Sequence, residues 1–452
     1  MEEHVSDTDA IAEFIEAACV PLDAAHVSGG IERANEILAR HPGLPERSIH
    51  VAAALGDDER VRGFIAADAA SATEKGGPRD WDPLTHLCFS RYLRLDATRS
   101  GGFERAARAL LDAGANANTG WMEPGHHPHA QWESALYGAA GVAHHPGVTR
   151  LLLEHGADPN DDEVGYHTPE SYDNRVMQLL LATGRLTGDT LSMMLVRKHD
   201  WHDEAGVRLL LAHGIDLNQP RAHGWSPLRH AILRDNALPI IELLLDHGAD
   251  PAGETNGVSA TALAAWRGRG DVLALIERRG LPPALAGVDR LVAACAMDRP
   301  GEIRAIVADE PDLARIAKVH GGALLAQFAG NGNTAGAARL LELEIDVNAR
   351  WAEGDGYFGV ARDSTALHVA AWRARPDTVR LLVARGAEVN ARDAAGRTPL
   401  MLAVLATVDS YWTDRRSPDS VAALLAAGAS PAGVRYPSGY AEVDALLAPH
   451  LP

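Results

Sequence analysis

The sequence predicts an all-α solenoid of about twelve helix-turn-helix units, each burying its apolar face against its neighbours. Three observations predict it. Paired-leucine helices stop on a ladder of positions at or near His41, Asp68, Gly114, Gly156, Gly184, Gly214, Gly248, Gly280, Glu310, Glu344, Gly386 and Gly428. The rungs lie between 27 residues (His41 to Asp68) and 46 residues (Asp68 to Gly114) apart and centre on roughly 33, the span of one short helix pair with its turn. Several helices open on a capping side chain followed by Pro and Leu, as in Asp82-Pro83-Leu84, Ser226-Pro227-Leu228 and Thr398-Pro399-Leu400. Proline fits there because the first N–H groups of a helix have no partner inside it. Lastly, 452 residues exceed one ordinary core, and internal repetition is what favours a stack over several separate domains.

Taken in order, the first two units end after ANEILAR and VRGFIAA without a glycine stop. Residues 1–78 are therefore read as degenerate N-terminal capping repeats, one face of which must meet water. Residues 79–280 carry better copies. Asp82 starts a helix, Ser90 to Gly101 is an inserted inter-helix loop, and ARALLDAGANAN closes the unit. The next opens with a long turn from Thr119 to Gln131 and ends in TRLLLEHGADPN. Between Asp161 and Thr190 the pattern is compressed, with Thr168-Pro169 as the expected helix start. GVRLLLAHGIDLN and GWSPLRHAILRDNALPIIELLLDHGADP are again good copies, and SATALAAWRGRGDVLALIERRG is a shorter one. Residues 281–348 read as degenerate repeats. Residues 349–452 hold C-terminal repeats and a capping helix from Tyr440 to Leu447, with a lengthened turn from Arg350 to Asp363 and VDSYWTDRRS inserted between the last helices.

The clearest copy runs from Ser364 to Asp393. Thr365 is placed as an N-cap, with Leu367, Ala370 and Ala371 at helical spacing, and Arg375-Pro376 ends that helix. A second helix from Asp377 presents Val379, Leu381, Leu382 and Val383, and Gly386 stops it by turning left-handed. This stretch resembles the ankyrin repeat, through Thr365, Leu367, His368, Ala370, Ala371, Leu381, Leu382, Gly386, Ala387 and Asn390; Ala366 stands where the family has proline and Glu388 where it has aspartate. The resemblance covers essentially the whole chain, strongly from about residue 80. It implies an ankyrin-repeat solenoid with β-turn fingers projecting from one edge, and a protein partner bound on the concave face of fingers and first helices.

Composition bounds the function classes. No run of 18 apolar residues offers a membrane span, and the acidic N-terminus has no apolar stretch behind basic residues, so a cytoplasmic protein is expected. The net charge of -19 argues against nucleic acid and membrane surfaces and favours a basic partner. Lys75, Lys198 and Lys318 are the three lysines in a sequence rich in alanine, glycine and arginine, a bias that points to a high-GC bacterial source. Cys19, Cys88 and Cys295 are odd in number and far apart, which suits buried hydrophobes better than a disulfide framework or a metal site.

The family resemblance places Trp81, Trp225 and Arg397 at the exposed finger position, and Trp266, Arg267, Trp372, Arg373, Phe89, Leu233 and Leu405 on the exposed face of the first helices. Tryptophan and arginine dominate interface energies, so these residues are expected to form an aromatic and basic stripe that anchors the partner. The run Glu123 to His129, with His126, His127 and His129, followed by His144 and His145, raises a metal reading. Its prolines and glycine favour a solvated loop instead, so no metal or other cofactor is expected. No nucleophile elbow, phosphate-cradling loop, HExxH helix or paired-cysteine motif is present, and His230, His320 and His368 read as structural. The expectation is a non-catalytic, monomeric scaffold or inhibitor that binds a protein. The alternative is an enzyme or metal-dependent accessory protein with a site in the inserted fingers.

Overall fold

In the computed structural model the described residues are 7–451 apart from 24, 127–128, 220–225 and 282–284. The chain divides into two compact units, Met1–Asp216 and Leu217–Pro452, a division that falls inside the run read as 79–280. Among the described residues the N-terminal unit holds six helix pairs. These are Asp7–Ala18 with Glu32–Arg40, Ile49–Ala54 with Asp58–Ala67, Pro83–Cys88 with Ser100–Asp112, Ala135–Tyr137 with Pro146–Glu154, Asp162–His167 with Arg175–Ala182, and Gly188–Asp200 with Glu204–Leu211. The C-terminal unit holds six more: Pro227–Leu233 with Leu238–Asp246, Ala260–Trp266 with Gly270–Arg278, Gly287–Ala296 with Pro300–Asp309, Gly321–Asn331 with Thr334–Glu342, Ala366–Trp372 with Pro376–Ala384, and Pro399–Val408 with Asp419–Ala426. Within each unit most first helices pack on first helices and most second on second, whereas Gly287–Ala296 packs on Asp312–Val319 and on the second helix Thr334–Glu342. A last helix, Ala441–Leu447, closes the C-terminal unit.

The glycine ladder has a conformational cause. Gly114, Gly156, Gly184, Gly214, Gly248, Gly280, Gly386 and Gly428 all have positive φ, and Glu344 keeps the same left-handed turn at φ 60° without being glycine. His41, Asp68 and Glu310 instead leave their helices at φ -130°, -150° and -131°, so these rungs dispense with the left-handed turn. Beyond the ladder, asparagines tie one repeat to the next. Asn218 donates to the Gly248 carbonyl at 2.8 Å and accepts from the Asp250 N–H at 2.8 Å. Asn348 does the same with Gly386 and Glu388, and Asn390 with Gly428 and Ser430. A side-chain amide serves both ends of this link, its NH2 donating while its oxygen accepts.

Four helix starts bear on the sequence reading. Asp82 and Thr398 cap their helices as expected, accepting from Thr85 and Met401 N–H groups. Pro376 is the first residue of the second helix of its pair, so Arg375-Pro376 begins one helix more than it ends another. The expected start at Thr168-Pro169 is corrected: Asp161 caps Asp162–His167 by accepting from the Glu163 N–H at 2.9 Å. Thr168 follows that helix, and Pro169 sits where a proline stops a helix rather than opening one. The three cysteines are free and buried.

The long turns fold into hairpins. Strands β1 (Gly120–Glu123) and β2 (Gln131–Ser134) pair antiparallel with Trp121 opposite Glu133 and Met122 opposite Trp132. Strands β3 (Glu254–Thr255) and β4 (Val258–Ser259) make a short finger, and β5 (Arg350–Trp351) and β6 (Ser364–Thr365) frame a long one. Both long fingers fold back onto first helices of their own unit, and this positions the candidate site.

Candidate functional site

In the N-terminal unit the β1–β2 finger shows the two-residue alternation of a half-buried strand. Trp121, Glu123 and Glu133 face inward, while Met122 (51% exposed) and Trp132 (43% exposed) form a cross-strand pair on the outer face. The inward tryptophan packs 5.2 Å from the Trp81 ring and 5.9 Å from Phe89. Trp81 and Phe89 are consequently core residues rather than exposed ones, which corrects the expected exposure of both. The finger occupies the face that a shorter turn would leave open to solvent.

Beneath the same finger lie buried ionisable groups from distant segments. His26, in the loop after the first helix, shares a 2.9 Å hydrogen bond through Nδ1 with the Tyr137 hydroxyl, and its Nε2 lies 3.5 Å from Glu123 Oε2. Glu133 Oε2 and His26 Nε2 are buried without a hydrogen-bond partner. Burial, reinforced by the charges of Glu163, Glu123 and Asp161, pushes the Glu133 carboxyl up to about 8. Burial likewise holds His26 below its usual range. Next to them His167 bonds Glu163 at 3.1 Å and Glu170 at 2.9 Å, and although burial opposes its charge, these carboxylates raise it to about 9.

In the C-terminal unit the β5–β6 finger brings Trp351, Phe358 and Val360 against Ala326 and Val369, with Trp412 from the final insertion completing the cluster. Trp372 donates from Nε1 to the Phe358 carbonyl at 2.5 Å, and Trp412 Nε1 donates to the Trp372 carbonyl at 2.9 Å. The Arg373 guanidinium lies 4.2 Å from the Phe358 ring centre and bonds Asp235 and Asn331. Asp235 also holds Arg269 at 3.2 Å and Arg375 at 3.6 Å. Burial raises the energy of the Asp235 carboxylate, but the surrounding arginines outweigh it and the pKa is lowered. Arg267 bonds the Leu233 carbonyl at 2.9 Å and lies 3.5 Å from Asp355.

Arg267 and Arg373 are thus buried and engaged within the fold, correcting the expectation that both are exposed. Trp266 and Trp372 are partly covered: Trp266 donates to Asp289 Oδ1 at 2.6 Å and packs against His320 at 5.3 Å. Arg397 bonds Asp393 and the Gly359 carbonyl, and Leu233 and Leu405 are half-buried. Trp225 lies outside the described residues, as does His127. Sequence reading missed Tyr357 (38% exposed) and Tyr411 (85% exposed), the first stacked 3.7 Å from the Arg234 guanidinium. The turn residues around them carry no repeat pattern, so their outward direction depends on how each finger folds back. His145, part of the metal reading, caps its helix by accepting from the Val148 N–H, and His126 bonds the His129 carbonyl within the finger. His368 accepts from the Thr365 N–H at Nδ1 and donates from Nε2 to the Ala391 carbonyl, a structural role.

Stacked helix pairs with projecting fingers define a repeat array, a class whose chemistry lies in its surface rather than in a deep pocket. Residues 170–255 match a model described as ankyrin repeats in three copies, and residues 340–403 match one described as ankyrin repeats in many copies. These two stretches carry ankyrin repeats, and ankyrin repeats are in general protein–protein interaction modules. Among solved structures it is similar to a human ASB11 ankyrin repeat domain, at 21% identity over 52% of this chain and 96% of that one, with a TM-score of 0.23. No curated protein matches the chain. Among the described residues no helix is long and apolar enough to cross a membrane.

Proposed function

We propose that this protein is a non-catalytic recognition scaffold whose partner is a protein held by the outer faces of the long fingers. The observation that carries this reading is the exposure of Trp132, Tyr357 and Tyr411 on segments whose other aromatic residues are buried. Tyrosine and tryptophan bury large area at low entropic cost and dominate interface energies. Below them Trp121 packs on Trp81 and Phe89 in the N-terminal unit, and Trp351 and Phe358 pack with Trp372, Trp412 and Arg373 in the C-terminal unit, contacts that favour a preformed surface with less ordering to oppose binding. In the C-terminal unit Leu233, Trp266, Trp372, Arg397 and Leu405 stay partly exposed and form the rim of that unit's proposed surface. The charge of -19 favours a basic partner approaching a cytoplasmic monomer.

Affinity capture with the wild type beside a Tyr357→Ala/Tyr411→Ala variant and a Trp132→Ala variant tests this. A partner lost by at least one variant, with unchanged melting curves, and bound more weakly as salt rises, is the expected result. Undiminished capture by both variants would move the surface away from the fingers.

A further inference from the structure

We propose that His26, Glu123 and Glu133 form a buried site for a single divalent first-row transition-metal ion, with zinc the best fit. Their ligand atoms all lie within 4.8 Å of one another, and all three residues are buried. His26 Nε2 and Glu133 Oε2 are buried with no hydrogen-bond partner, on residues 7% and 1% exposed respectively. Buried polar atoms are almost always satisfied, so two orphans grouped with the second carboxylate, Glu123, need an explanation. A cation supplies it for all three at once.

The donor set selects the ion. One imidazole nitrogen with two carboxylate oxygens suits zinc better than calcium or magnesium, which prefer all-oxygen shells. The separation of 3.5 Å between His26 Nε2 and Glu123 Oε2 is close to the roughly 3.4 Å between donors that are each about 2.1 Å from a tetrahedral zinc ion. Charge also balances, because a neutral imidazole and two carboxylates offset a doubly charged ion in a site without solvent. The Tyr137 hydroxyl at 2.9 Å from Nδ1 completes the arrangement. With the Nδ1 proton donated to that oxygen, the Nε2 lone pair faces the carboxylates, as in metal-bound histidines oriented by an outer partner. The site joins the loop after the first helix to a finger almost a hundred residues later, so a bound ion would pin the finger to the N-terminal repeats.

The test uses the full chain, stripped with chelator, reloaded with zinc chloride, desalted and assayed by inductively coupled plasma mass spectrometry and by thermal melt. One zinc per chain and a raised melting midpoint are expected. Glu133→Gln, which keeps shape and removes charge, should weaken zinc binding more than about 100-fold, beyond the 10- to 100-fold typical of outer-shell changes. A His126→Ala/His129→Ala variant should bind as the wild type does. No retained zinc in the wild type would overturn the site, and so would zinc lost by the His126/His129 variant but kept by Glu133→Gln.

Discussion

Single residues carry the charge logic of both units. Asp235 has a left-handed backbone (φ 55°) and pairs with Arg269, Arg373 and Arg375 beneath the long C-terminal finger. Asp235→Asn removes that counter-charge from cations out of water and should cost about 3 to 5 kcal/mol, read as a lower urea midpoint. His86 shows the opposite case. Burial, with His50 beside it, lowers its pKa from 6.5 to about 3, while its Nδ1–H donates to the Asp82 carbonyl at 3.0 Å. Between those two values the unfolded chain holds a proton that the folded chain lacks, so His86 contributes stability above pH 6.5 that is lost as pH falls toward 3. His86→Gln should make the acid-side stability profile shallower by about one proton, measured by urea melts across that range.

At the scale of elements, the repeats were legible because their requirements are local. A glycine that must turn left-handed, a proline at the first helical position and a leucine pair at helical spacing are each written within a few residues. Eight of the predicted rungs are left-handed glycines for this reason. Finger placement was not legible, since it depends on contacts far apart in sequence, such as His26 with Glu123 or Arg373 with Asp235. Trp81, Phe89, Arg267 and Arg373 sit at the positions expected from the repeat, and their burial arises from the fingers laid over them. The only cue was the alternation in GWME and QWES, with carboxylates on the inward positions. Two substitutions test the element rules. Asn390→Ala loses the link to Gly428 and Ser430 and should lower stability by about 1 to 2 kcal/mol in urea melts. Glu344→Gly relieves a left-handed non-glycine residue and gives up an exposed pair with Lys318; the strain term is the larger, so the melting midpoint should rise.

For the molecule as a whole, the repeats supply a frame and the long fingers supply its exterior chemistry. The first-helix positions used for binding in the family resemblance are here partly taken up by the protein's own fingers, which moves the proposed recognition outward in each unit separately, to Trp132 in the N-terminal unit and to Tyr357 and Tyr411 in the C-terminal unit. Site-specific photo-crosslinking measures this most directly. A benzophenone amino acid placed singly at positions 132, 357 and 411, with a control at exposed Arg304 on the second-helix side, is irradiated in native lysate and in the presence of the captured partner. If the fingers hold the partner, one or more finger positions yield a crosslinked partner and position 304 yields none. Crosslinks from position 304 with none from the fingers would contradict it.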